Sequence, residues 1–256
     1  MKIELKMQED ILLKNRFQDL ASKAYEHNQY TFTGFLDAME ISTLAAYAKE
    51  FSYISYTLSG GYEGSERQVA RFGSEKMLGY EMEFPICCIL AQPLIKKFAD
   101  EFSHRDFLGA LMNLGIERYT IGDIVVQKQC AYIFCLEKMA PFIMDNLDKV
   151  KHTHMKCSIA QELPEEVFHV FADLEVVVAS ERIDAVLSKV LHMSRSQSMQ
   201  LFQEKKVFVN AKLCENNTYG LKKEDIVAVR GFGKMIYEGI AYETKKEKLC
   251  VRLKKY

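Results

Sequence analysis

The most regular stretch of the chain reads Arg182-Ile-Asp-Ala-Val-Leu187 and, after a gap of six residues, Ser194-Arg-Ser-Gln197. In its first part the apolar side chains recur with the spacing i, i+3, i+4, i+7, at Ile183, Val186, Leu187 and Val190. This spacing predicts an amphipathic helix over residues 182–191. A serine with a glutamine three positions later is typical of a capping box, so a second short helix is predicted from Ser194 to about Lys205.

Short strands are predicted after these two helices. The segments Val207-Phe-Val-Asn210 and Ile226-Val-Ala-Val-Arg230 are rich in β-branched residues, which favours strands. Side chains alternate between the two faces of a strand, and a last strand near the end of the chain has apolar and basic faces. The apolar face holds Leu249, Val251 and Leu253, and the basic face holds Lys248, Arg252 and Lys254. The alternation predicts a basic stripe that points outward.

Charge is distributed unevenly along the chain. The whole sequence has a formal net charge of −1. Residues 180–256 contain 16 Lys and Arg against 9 Asp and Glu, a net +7, so residues 1–179 carry −8. Such asymmetry indicates an anionic partner for the C-terminal part.

Four blocks of the C-terminal part closely resemble the S4 RNA-binding domain, which follows the pattern R-L-D-x-x-L, S-R-S/T-x-A, V-x-V-N-G and G-D-x-I-x-V. They are Arg182–Leu187, Ser194–Gln197, Val207–Asn210 and Asp225-Ile-Val-Ala-Val-Arg-Gly231. The glycine usual before V-x-V-N is Lys206 here, and the one after the asparagine is Ala211. Both departures fall at turn positions, so they affect the turn geometry and leave the RNA surface intact.

The resemblance implies an RNA-binding surface at the start of the second helix. Phosphates are recognised by Lys, Arg, Ser and Asn side chains and by helix N-termini. The residues expected on this surface are Arg182, Lys189, Ser194, Arg195, Ser196, Gln197, Lys205, Lys206, Asn210, Lys212, Arg230 and Lys234. Asp184 is expected to hold Arg182 or to cap the helix locally, not to contact RNA.

The middle of the chain predicts a separate α/β arrangement. Its pattern of apolar runs has the order β-α-β-β-α-β, which is the split βαβ or ferredoxin-like order. The segments are the strand Phe84–Leu90, the helix Asp106–Leu114, the strands Ile121–Gln127 and Ala131–Glu137, the helix Met139–Val150 and the strand Met155–Ile159. The segment lacks the aromatic RNP-1 string of RRM domains, so we do not expect bases to stack on its sheet.

An α+β protein with three domains is therefore predicted. Residues 1–78 form a helical domain, residues 79–165 the ferredoxin- or RRM-like domain, and residues 166–256 a domain with the S4 module at about 180–240. Further β structure is predicted over Val167–Ala179. A length of 256 residues fits such a division.

Beyond the S4 blocks, the chain resembles the YlmH group of bacterial S4 proteins. The resemblance depends on Gly60-Gly-Tyr-Glu-Gly-Ser-Glu-Arg67, on Leu114-Gly-Ile-Glu-Arg-Tyr-Thr-Ile-Gly-Asp-Ile124 and on the C-terminal position of the S4 module. It implies a cytoplasmic factor that binds ribosomal RNA of the large subunit. Relatives act in ribosome-associated quality control, where they hold stalled peptidyl-tRNA, and a role with cell-division proteins is also attached to the group.

No catalytic activity, cofactor or metal is expected from the sequence. The H-I-G-H-like and K-M-S-K-S-like motifs of tyrosyl-tRNA synthetases are missing, and Gly60-Gly-Tyr-Glu-Gly64 has neither G-x-G-x-x-G spacing nor the Lys-Ser/Thr of a P-loop. His152 and His154 lack a third ligand nearby in sequence. Two alternatives stay open. One is an RNA-modifying enzyme with an unrecognised central domain, and the other is a cell-division-linked interaction protein.

The cysteines and the apolar segments favour a soluble protein of the cytosol. Seven cysteines, an odd number without a C-x-x-C motif, lie mostly inside apolar runs such as Phe84-Pro-Ile-Cys-Cys-Ile-Leu90. Reduced, buried cysteines have this pattern. Neither a signal peptide nor a membrane-spanning segment is expected.

Overall fold

The computed structural model of the protein describes residues 2–95, 97, 99–127, 129–161, 163, 172–244 and 247–255. Packing divides the chain into two compact units. The N-terminal unit consists of residues 1–37 and 47–168, and the C-terminal unit consists of residues 38–46 and 169–256. The fold is mixed α and β, as predicted. The separate domain predicted for residues 1–78 stays a prediction.

The first elements of the N-terminal unit are not all helical, so that part of the prediction is wrong. After the helix α1 (Lys2–Glu26), the structure has the strands β1 (Thr31–Leu36), β2 (Tyr56–Ser59) and β3 (Gln68–Phe72). They form an antiparallel sheet in the order β1-β3-β2. The segment Thr31-Phe-Thr-Gly-Phe-Leu36 alternates β-branched and aromatic residues, and this composition favours a strand over a helix. A short helix, α3 (Glu75–Leu78), follows the sheet.

The rest of the N-terminal unit has the order β-α-β-β-α-β that the sequence predicts, with one additional short strand. Its elements are β4 (Ile86–Pro93), α4 (His104–Asn113), β5 (Ile121–Gln127), β6 (Cys130–Leu136), α5 (Ala140–Asn146), β7 (Lys149–Val150) and β8 (Thr153–Ile159). They build an antiparallel sheet in the order β5-β6-β4-β8-β7.

Both faces of this central sheet are covered within the N-terminal unit. On one face, side chains of α4 and α5 such as Phe107 and Ile143 pack against Ile133. On the opposite face, Phe134 packs in a cluster with Phe35 of β1. The three-stranded sheet and the central sheet therefore share a core.

Among the residues that the structure describes, the C-terminal unit contains three helices and a six-stranded sheet. The helices are α2 (Ala38–Tyr47), α6 (Ile183–Val190) and α7 (Arg195–Gln203). Residues 38–46 of α2 belong to this unit, and α6 and α7 follow each other directly in the chain. The strands are β9 (Ala172–Val178), β10 (Val207–Val209), β11 (Lys212–Leu213), β12 (Ile226–Val229), β13 (Gly233–Glu243) and β14 (Leu249–Lys255). Their order in the sheet is β11-β10-β12-β13-β14-β9, with every neighbouring pair antiparallel.

The helices predicted around Arg182 and Ser194 are confirmed as α6 and α7. The apolar stripe of α6 is buried against the apolar face of the sheet, including Val227 and Leu253. β structure is predicted over residues 167–179. Residues 167–171 lie outside the described residues, and residues 172–178 form β9. Among the helices that the structure describes, none combines the length and the apolar character needed to cross a membrane.

Candidate nucleic-acid interface

The first turns of α6 and α7 lie side by side in the C-terminal unit. The buried hydroxyl of Ser198 donates a hydrogen bond to the backbone carbonyl of Asp184 over 3.0 Å, which joins the two helix starts. The N-terminus of a helix carries partial positive charge and backbone amides that lack an intrahelical acceptor. At α6 the first amides already have acceptors, because Ile183 and Asp184 donate to the backbone carbonyls of Tyr219 and Asn217. The start of α7 therefore offers the donors that favour an anionic ligand.

The start of α7 is exposed and capped as predicted. Ser194 Oγ accepts from the backbone amide of Gln197 at 3.2 Å, and Gln197 Oε1 accepts from the amide of Ser194 at 2.9 Å. The hydroxyls of Ser194 and Ser196 lie 2.9 Å apart. These bonds leave the amides of Arg195 and Ser196 in the first turn, where an α-helix provides no acceptor for them.

Three predicted cations on this unit are exposed and have no ion-pair partner among the residues described by the structure. They are Lys189 on α6, Arg195 on α7 and Lys212 on β11. A phosphate that approaches them meets no competing carboxylate in direct contact. Of the predicted set, they are therefore the best suited to bind an anion.

Arg182 is exposed but already has an acidic partner. Its Nε and Nη2 donate to the two carboxylate oxygens of Asp184 at 3.1 and 2.8 Å. This pairing raises the pKa of Arg182. The expectation that Asp184 holds Arg182 is confirmed. The pairing neutralises much of the local charge of Arg182. Arg182 therefore contributes less to anion binding than its place in the sequence motif implies.

The remaining predicted cations have other neighbours. Lys205 pairs with Glu215 at 2.9 Å, and Lys206 pairs with Glu204 at 2.6 Å. Arg230 is exposed beyond β12, and its backbone amide donates to the carbonyl of Lys206. Lys234 is half-buried on β13.

Asn210 has a structural role in its turn, and its contact with RNA stays a prediction. Its side-chain amide donates to Asp225 Oδ1 at 2.8 Å, and its Oδ1 accepts from the amide of Ile226 at 2.9 Å. Asn210 and Ala211 have φ angles of 50° and 61°, as in the type I′ turn of a two-residue hairpin, here between β10 and β11. Asn210 and Ala211 therefore form this turn.

The backbone position that favours glycine before the V-x-V-N block is Lys205. It lies one residue earlier than Lys206, where the sequence pattern places the glycine. Lys205, not Lys206, has a positive φ of 55°. The amides of Lys205 and Lys206 donate to the carbonyls of Phe202 and Leu201, the hydrogen-bond pattern of a Schellman motif that ends α7. The left-handed residue at such a helix end is usually glycine.

The basic stripe predicted for the last strand is largely neutralised. Arg252 lies opposite Glu175 in the β14–β9 register and donates to its carboxylate at 2.9 Å. Lys254 pairs with Glu238 of β13 at 2.8 Å. Neighbouring strands supply the acidic residues, so the alternation along β14 produces a ladder of ion pairs.

Asp225 organises the loops beside the helix starts, a role that the sequence motif does not reveal. Its carboxylate is buried and accepts from the Asn210 amide, from the Tyr219 hydroxyl at 3.2 Å and from the Lys222 backbone amide at 2.8 Å. The adjacent backbone receives the start of α6, since the amide of Ile183 donates to the carbonyl of Tyr219. The G-D-x-I block, in which Asp225 stands, is the available sequence signal.

A metal centre finds no support in the described part of the chain. No group of three or more His, Cys, Asp or Glu side chains there is arranged to hold an ion. The seven cysteines are free thiols.

The chain is similar to proteins that have been described as RNA-binding or ribosome-associated. The family described as "Putative RNA-binding domain in YlmH" matches residues 83–162. A Bacillus subtilis relative, "Ribosome-associated protein quality control protein P2", is 30% identical over 241 residues, which cover 90% of each chain. A solved structure, "Cell division protein ylmH from Streptococcus pneumoniae", aligns with a TM-score of 0.49 and 20% identity over 59% of this chain and 91% of that one.

Proposed function

Because the chain belongs to the YlmH-like family of RNA-binding proteins, we propose that it is a cytoplasmic, ribosome-associated RNA-binding protein without catalytic activity of its own. Its C-terminal unit, in this proposal, contains an S4-type module at about residues 180–240 that binds ribosomal RNA of the large subunit. The family match to residues 83–162 supports RNA binding by the N-terminal unit as well.

One observation carries the proposal for the C-terminal unit. The exposed start of α7 lies beside α6, and two exposed cations, Lys189 in the last turn of α6 and Arg195 in the first turn of α7, have no acidic partner among the described residues. Helix starts and unpaired cations both attract phosphate oxygens. Residues 180–256 also carry a net charge of +7, which strengthens the attraction at longer range.

Shape and backbone recognition fit this surface better than base reading. The deep, narrow groove of an RNA helix resists side chains, so folded RNA is recognised mainly through phosphates and 2′-hydroxyls. The hydroxyls of Ser194 and Ser196 and the amides of the first turn of α7 supply matching short-range donors. A folded segment of ribosomal RNA is the substrate class that these donors suit.

At a finer level, we propose that the protein acts in ribosome-associated quality control. The name of the Bacillus subtilis relative, which describes it as a ribosome-associated quality control protein, supports this role. The protein would bind large subunits that still hold peptidyl-tRNA after a stall. Large subunits with and without peptidyl-tRNA test this step, and equal binding to both would argue against it.

The RNA-binding surface is tested with two charge-matched double variants. Lys189→Gln with Arg195→Gln removes two unpaired cations, whereas Arg252→Gln with Lys254→Gln removes two cations that already have acidic partners. Both variants lower the net charge by the same amount. Binding of each to large ribosomal subunits is measured by sedimentation over a series of salt concentrations.

We expect the first variant to lose most of its affinity and the control to keep it. The slope of log affinity against log salt should become shallower in the first variant by about 0.7–0.9 for each lost phosphate contact. An equal loss in both variants would show that binding depends on overall charge and not on the two unpaired cations. Absence of subunit binding by the unmodified protein would refute the proposed function.

A further inference from the structure

The face of the central sheet that RRM domains use for RNA is covered in this protein. In such domains, aromatic side chains on the sheet stack against bases. Here Tyr132 and Phe134 of β6 are buried, and they pack in one cluster with Phe35 and Val69 of the N-terminal sheet. Any RNA contact made by residues 83–162 therefore needs a different surface.

Tyr119 provides an exposed aromatic ring elsewhere in the same segment. It lies in the single turn Arg118–Thr120 that leads into β5, and 41% of its surface is exposed. A Cβ atom at Gly34 would come within 2.7 Å of Tyr119 Cδ2, so the absence of a side chain at Gly34 makes room for the ring. The hydroxyl hydrogen-bonds the Glu117 side chain, which raises the pKa of Tyr119. These contacts hold the ring in place.

A guanidinium group lies within cation–π distance of this ring. Arg16 of α1 is exposed, and its Cζ lies 5.8 Å from the centre of the Tyr119 ring. Cation–π attraction acts within about 6 Å of a ring centroid. The ring and the guanidinium therefore form one surface, and both are groups on which an unpaired base stacks.

The residue before Tyr119 carries a second guanidinium group, which is bonded to the backbone. Arg118 donates to the backbone carbonyls of Ile121 at 2.5 Å and Gly122 at 3.2 Å. Burial and the neighbouring charge of Arg67 lower the pKa of Arg118 to about 10, so it stays cationic at neutral pH. These carbonyls hold the guanidinium in place, and the carboxylates of Asp123 and Asp37 act on its charge.

The nearby carboxylate of Asp123 is engaged by an adjacent loop. It accepts hydrogen bonds from the Tyr62 hydroxyl at 2.8 Å and from the backbone amides of Glu66 and Arg67 at 2.6 and 3.0 Å. The segments 60–67 and 114–124, which stand far apart in the sequence, therefore meet here. Their contacts fix the backbone that carries Tyr119.

We propose that Tyr119 and Arg16 form a stacking site for an unpaired base of single-stranded RNA. This inference rests on the proposed function, because both assume an RNA ligand. It adds a second site in the N-terminal unit that recognises a different form of RNA. Bases in a helix already stack on each other, whereas an unpaired base can be splayed onto an aromatic ring.

The site is tested with the full-length protein and a fluorescent ten-nucleotide oligoadenylate. Tyr119→Ala should weaken binding about tenfold or more, the loss expected when one base–aromatic stack is removed. Tyr119→Phe, which keeps the ring, should stay within about twofold of the unmodified protein, and Arg16→Ala should weaken binding. Phe142→Ala is the matched control, because Phe142 of α5 is also 41% exposed, and it should bind as the unmodified protein does.

A double-stranded RNA probe separates this inference from the proposed function. Tyr119→Ala should leave duplex binding unchanged, while the double variant at Lys189 and Arg195 should reduce it. Circular dichroism checks that each variant is folded. Oligoadenylate affinity that is unchanged in Tyr119→Ala, or lost equally in Tyr119→Phe or Phe142→Ala, would overturn the stacking site. Failure of the unmodified protein to bind either probe would instead refute RNA binding as a whole.

Discussion

The side-chain amide of Asn210 donates to the carboxylate of Asp225 over 2.8 Å, and this bond ties the β10–β11 turn to the start of β12. Both residues belong to sequence blocks that resemble an RNA-binding module. Yet Asp225 is buried, and the Asn210 amide is used inside the protein. Through the Tyr219 hydroxyl, which donates to Asp225, this pair is connected to the loop that accepts the first amide of α6.

Replacing Asp225 by alanine should destabilise the C-terminal unit by about 3 kcal/mol, because it leaves several buried donors without an acceptor. The donors are the Asn210 amide, the Tyr219 hydroxyl and the Lys222 backbone amide. Urea unfolding measures the change. Asp173→Ala, at an exposed position on β9 of the same sheet, should stay within about 0.5 kcal/mol of the unmodified protein. Equal effects of the two substitutions would contradict the role of Asp225.

Replacing Ala211 by glycine should stabilise the protein by about 0.5–1 kcal/mol. Ala211 has a φ angle of 61°, a conformation that costs an L-residue with a side chain about 1–2 kcal/mol. Part of this gain is lost because glycine is more flexible when unfolded. Gly231→Ala is the converse test, since Gly231 has a φ of 85° and open space around its Cα. It should destabilise by about 1 kcal/mol, and a stabilising effect would show that the backbone argument is wrong.

The carboxylate of Asp106 should make stability depend on pH through the start of α4. Hydrogen bonds from the Ser103 side chain and backbone lower the pKa of Asp106, and Lys151, whose Nζ lies 3.1 Å from Oδ2, lowers it further. A lowered folded-state pKa means that the contribution is complete above the ordinary Asp pKa of about 3.9. It is lost as the pH falls through the lowered value.

Asp106→Asn keeps an acceptor oxygen but removes the charge. Urea unfolding should show this variant to be less stable than the unmodified protein at pH 7. The difference should shrink as the pH falls below about 4. A difference that stays constant from pH 7 to pH 3 would be inconsistent with a charge effect at Asp106.

The adjacent thiols of β4 should react with iodoacetamide at different rates. Cys87 is half-buried, and a hydrogen bond from Cys135, whose sulfur lies 3.5 Å away, lowers the pKa of Cys87. Burial raises the pKa of Cys88 to about 12. The thiolate is the reactive form, so Cys87 should be alkylated well before Cys88 at pH 8. Mass spectrometry of the peptide that contains both residues measures the order, and Cys135→Ala should slow the reaction of Cys87.

Local patterns were sufficient to predict the helices of the candidate site. The apolar spacing from Ile183 to Val190 and the Ser194–Gln197 capping box each involve residues within two or three turns of one another. Helical phase also placed Lys189 on the exposed side. The same approach missed the strand Thr31–Leu36, because its neighbours on both sides are strongly helical and the segment is only six residues long.

Which cations are available to a ligand depends on residues that are distant in the sequence. The basic face of β14 follows from its alternation, but Glu175, 77 positions before Arg252, neutralises that residue only because β9 pairs with β14. Arg195 and Arg252 look alike in the sequence. The sequence pattern determines the helices and strands and the direction of their side chains. The tertiary fold determines which charges stay unpaired, because an electrostatic interaction depends on distance in space and not on distance along the chain.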